Sequence, residues 1–99
     1  MFDLELTVRR QADAMLRLGT VTRNNGIRKI LNAIVTEATN FHLTLVEFRQ
    51  GVLAGRPEAE LESIDARAQQ QLDAYNAARY RLSRKTGGNL HVLQRPSLI

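Results

Sequence analysis

One stretch restricts the fold more than any other: "GIRKILNAIVTEATNFHLTLVEFRQGVLAG". Its apolar residues Ile27, Leu31, Ile34, Ala38, Phe41, Leu45, Phe48 and Val52 follow one another at alternating gaps of four and three. That is a heptad seam, the pattern of a helix lying along another helix. Ile30, Val35 and Val46 widen the stripe, so the helix is expected to touch more than one neighbour. Thr22, Asn24 or Asn25 can cap its start, and it should stop between Gly51 and Gly55.

A partner follows directly in "AGRPEAELESIDARAQQQLDAYNAARYRLSRKTGG". Pro57 suits a first helical position, where a missing N–H costs nothing. Glu58, Glu60 and Glu62 lie where the helix dipole favours negative charge, and Arg79, Arg81, Arg84 and Lys85 lie where it favours positive charge. Gly87 and Gly88 end the pattern. Leu61, Ile64, Ala68, Leu72, Tyr75, Ala78 and Leu82 share one face. The short turn between the two segments makes them an antiparallel helical hairpin.

The start of the chain reads two ways. "FDLELTV" alternates like a strand, while Leu4, Val8, Ala12 and Met15 fit a helical stripe. No second strand-like run is near, so a helix over about 3–18, ending at Gly19, is expected. The whole then reads as an all-α domain over 1–88, with helices near 3–18, 25–53 and 57–86: an N-terminal helix packed on a long hairpin. An extended C-terminal arm over 89–99 follows.

With 99 residues and an aliphatic composition, one small domain is expected, which often gains from a partner. The absence of cysteine excludes disulfides and thiolate metal sites. No run approaches the ~18 apolar residues of a membrane span. The acids in "MFDLELTVRR" do not suit a signal peptide. A cytoplasmic protein, or a component of a virion or other assembly, is expected.

Candidate chemistry is sparse. His42 has no strong metal ligand three or four residues away, and His91 stands alone in the arm. The acids from Glu58 to Asp65 are accounted for by the helix dipole. "RNNGIRK" lacks the spacing of a nucleotide-binding loop. No catalytic residue, cofactor or metal is expected, and the chain is read as a non-enzyme.

Two features remain. The arm, "NLHVLQRPSLI", places Leu90 and Val92 on one side of an extended chain and Leu93 on the other. Leu90, Val92, Leu93, Leu98 and Ile99 are therefore candidate docking residues toward a protein partner, for instance by an added strand; the alternative is an arm that folds back over the hairpin's own groove. The second is charge: the net charge is +4, and the cations gather in "RNNGIRK" and "RYRLSRK". Arg23, Arg28, Lys29, Arg79, Arg81, Arg84 and Lys85 are candidate contacts to an anion or nucleic acid. The expected function is a small structural or adaptor subunit of a multi-chain assembly, a homo-oligomer included, of the virion-tail or secretion-complex kind. The alternative is a small basic helical nucleic-acid-binding protein, a regulator or DNA-processing accessory factor.

Overall fold

The computed structural model describes residues 2–86, with side chains over 4–85. The expected arm, with Leu90, Val92, Leu93, Leu98 and Ile99, lies outside the described residues. Three helices follow in order: α1 (Phe2–Val21), α2 (Asn25–Leu53) and α3 (Glu58–Thr86). The all-α hairpin architecture is as the periodicity indicates. α2 and α3 form the antiparallel pair, and α1 packs along α2. The result is an elongated bundle, 48 Å in its longest dimension.

The strand-like alternation at the start of α1 yields to packing. Val8 is fully buried, with Leu4, Ala12 and Met15 against the same core, which only helical spacing achieves. α1 also runs through Gly19 to Val21, further than a stop at Gly19 implies. Gly19 faces Leu31 across the α1–α2 contact and does not break the helix. The break comes at Thr22–Asn24 instead. Asn24 is extended, and its side-chain oxygen accepts from the Ile27 backbone N–H at 3.1 Å, capping α2.

The hairpin turn is set by Gly55, whose φ of 69° lies in the left-handed region that other residues enter at a cost. The Pro57 carbonyl then accepts from the N–H groups of Glu60 and Leu61, so Pro57 stands immediately before α3 and helps start it. The first core layer beyond the turn is tight: a methyl on Gly51 would stand 3.0 Å from Leu61 Cδ2.

Leu31, Ile34, Phe41, Leu45 and Phe48 are buried with Ile64, Ala68, Leu72, Tyr75 and Ala78. These are the seam of α2 and the apolar face of α3 meeting along their length. The seam does not stay covered to its end. Val52 is 52% exposed and Leu53 89% exposed. Leu61 on α3 meets Gly51, the residue before Val52.

Candidate functional site

Because α2 and α3 are antiparallel, the start of one lies beside the finish of the other. The two basic stretches, about 50 residues apart in sequence, therefore come to one end of the bundle. Lys85 marks the junction: its Nζ lies 3.8 Å from where a Cβ on Gly26 would sit. Beside it, Ile30, Arg81, Arg84 and Lys85 line a groove of about 320 Å³. Arg81, Arg84 and Lys85 share a helical face by their spacing, as do Gly26, Lys29 and Ile30 on α2. The contacts at Gly26 and Ile30 bring those two faces together.

The seven candidate cations do not behave alike. Arg23 is exposed in the α1–α2 connection. Arg28 spends a guanidinium N–H on the Thr22 carbonyl at 2.5 Å, closing that connection. Lys29, Arg81, Arg84 and Lys85 are exposed. Arg84 stands 6.0 Å from the ring centroid of Tyr80, which is itself 55% exposed. Arg79 is half-buried: its guanidinium lies 5.6 Å from the Tyr75 ring centroid and donates to Asn76 Oδ1 at 3.5 Å. Arg79 is thus part of the α3 scaffold more than of the basic surface.

No acid is near in sequence along either helix. The first on α2 is Glu37 and the last on α3 is Asp73, each eight residues from the nearest exposed cation of the basic end, Lys29 and Arg81. At the helical rise that is about 12 Å. The screening length at physiological ionic strength is about 8 Å, so those carboxylates do little to cancel the field at the basic end.

A second polar cluster lies on the α1–α2 face. Glu5, which is only 12% exposed at its side chain, receives a two-pronged contact from Arg49 at 3.0 and 3.2 Å. His42 Nδ1 donates to the same carboxylate at 2.9 Å. The Arg49 hydrogen bonds hold the Glu5 carboxyl below its usual range; partial burial opposes them and His42 assists. Next to His42, a cleft of about 200 Å³ is lined by Arg9, Ala12, Asp13, Ala38, Thr39 and His42. His42 was legible only as a residue without local ligands, because its partner is 37 positions away. Among the described residues no group of three or more His, Cys, Asp or Glu side chains is placed to hold a metal ion.

The third feature is apolar. Phe48, Arg49, Val52 and Leu53 line a shallow groove of about 280 Å³ where the α2 seam runs past its cover. Arg49 forms its rim, already neutralised by Glu5. Periodicity marks Val52 as a seam residue but says nothing of where neighbouring helices stop.

No helix among the described residues is long and apolar enough to cross a membrane. No protein family, curated protein or solved structure matches the chain. The functional reading therefore rests on the three surfaces above.

Proposed function

We propose that the protein is a non-enzymatic structural subunit of a multi-chain assembly, with a second copy of the chain as its neighbour at the apolar end of α2. The observation that carries this reading is that the seam outlasts its cover: Val52 continues the line of Phe48, yet stands half in solvent beside Leu53. A seam surface selects a helix as its occupant, because knobs at this spacing fit the holes of a facing helix. A second α2 supplies that surface, and a two-fold arrangement lets each copy cover the other. The ion pair with Glu5 removes the repulsion that two Arg49 side chains would otherwise bring to such a contact.

Three side chains are a small interface. A stable one buries about 800 Å² per partner, more than this rim offers. The remainder is assigned to the arm, where Leu90, Val92, Leu93, Leu98 and Ile99 concentrate apolar surface in eleven residues.

The chain has no cysteine, which makes a single introduced one a clean reporter. Val52→Cys should form an intermolecular disulfide under mild oxidation, because bridged Cα atoms must come within about 7 Å. Ala66→Cys, on the exposed face of α3, should not. Equal cross-linking at both positions would mean random collision and would remove the support for this contact.

A further inference from the structure

We propose that the basic end of the bundle binds the backbone of single-stranded nucleic acid, with phosphates on Lys29, Arg81, Arg84 and Lys85 and a base stacked on Tyr80. This goes beyond the assembly reading and uses none of its residues.

Three cations of α3, Arg81, Arg84 and Lys85, line one groove with the half-buried side chain of Ile30 from α2, and the exposed Lys29 precedes Ile30 on that helix. Helix-dipole compensation explains Arg84 and Lys85 at the end of α3. It does not extend to Arg81, a turn earlier on α3, or to Lys29, a turn into α2, because the dipole effect falls off within the terminal turn. An anion at this groove would relieve the mutual repulsion of the cluster. The nearest acids along the two helices, Glu37 from Lys29 and Asp73 from Arg81, are eight residues or about 12 Å away, beyond the screening length of about 8 Å, and do not serve instead.

Tyr80 makes the ligand more specific than a free phosphate. The large aromatic rings of Phe41 and Tyr75 are buried, whereas Tyr80 is more than half exposed with a guanidinium beside it. A cationic groove beside an exposed ring is the arrangement by which proteins hold single strands: the charges follow the backbone and the ring stacks a base without reading its identity. A duplex fits less well. Lying along α3 it would pass from the basic end onto Asp73, Asp65 and Glu62. A single strand can bend and remain at the end.

The test is fluorescence anisotropy of the full chain with a labelled oligothymidylate, with the matching duplex and phosphatidylserine vesicles as competitors. Four phosphate contacts predict a slope of log affinity against log salt of about −3. Arg81→Gln, Arg84→Gln and Lys85→Gln together should abolish measurable binding, with helicity checked by circular dichroism. Arg56→Gln, at the opposite end, should leave binding unchanged. Tyr80→Ala should weaken binding about tenfold and Tyr80→Phe should restore it. That pair keeps the proposal testable if the triple variant does not fold. The proposal is overturned if Tyr80→Ala binds as well as the parent, if the duplex binds as tightly as the single strand, or if only the vesicles bind.

Discussion

The Tyr75 hydroxyl donates to Gln11 Oε1, joining α3 to α1 across 64 residues of sequence. Tyr75 is fully buried and reaches through the core that α1 and α3 share with α2. Burial pushes its phenol up from the ordinary 10.0 to about 12, and the nearby Arg79 charge pulls the other way by less. The folded state therefore holds the proton more tightly than the unfolded one. The associated stability is complete below pH 10 and is lost as pH rises from there through about 12. Tyr75→Phe should cost about 1 kcal/mol at neutral pH through the missing hydrogen bond. It should also remove this tyrosine's part of the alkaline loss. Urea melts of parent and variant on either side of pH 10 measure both effects.

Glu5 predicts the opposite limb. Its carboxyl is held below the ordinary 4.5 chiefly by Arg49, so its contribution is present above that pH and fades as pH falls through the lowered value. Glu5→Gln should lose about 1 kcal/mol at neutral pH, a figure kept low because Arg49 is half in water and screened. Thermal melts across the acid range should show a flatter stability profile below pH 4.5 for Glu5→Gln than for the parent. Identical profiles would mean the contact contributes nothing.

Phe41 tests the core. It is 1% exposed between the α2 seam and its neighbours, so Phe41→Ala should cost about 3–5 kcal/mol in chemical denaturation. A loss below about 1 kcal/mol would place the seam in solvent and contradict the bundle.

Gln71 offers a gain. Among the described residues its Oε1 is buried with no hydrogen-bond partner. Gln71→Met keeps the side-chain volume and removes the unsatisfied group, so stability should rise by about 1 kcal/mol. A destabilised variant would show that the amide finds a partner in solution.

The hairpin was legible because two long segments keep helical spacing and are joined by a short Gly-Arg-Pro turn. Leu31 through Phe48 and Ile64 through Ala78 reach the core at the positions their periods indicate. The first helix was harder, since Phe2 to Val8 alternates as well as it spirals, and only burial of Val8 against α2 and α3 decides between the two. The polar pairs were not legible at all. Glu5 with Arg49 and Tyr75 with Gln11 depend on helix register between distant segments, which no local pattern encodes. The basic end lies between these cases. Both stretches stand out as charge, but their convergence at Lys85 and Gly26 follows only once the hairpin is known to be antiparallel.

The claim that the chain is an assembly subunit is tested most directly by its mass in solution. Sedimentation equilibrium of the full chain over a range of micromolar concentrations should give a mass above the 11.2 kDa of one chain, rising with concentration. Val52→Asp with Leu53→Asp should return it to 11.2 kDa with helicity unchanged, because both side chains are exposed in the single chain and their loss leaves the core intact. A parent that stays at 11.2 kDa throughout would contradict self-association at this face.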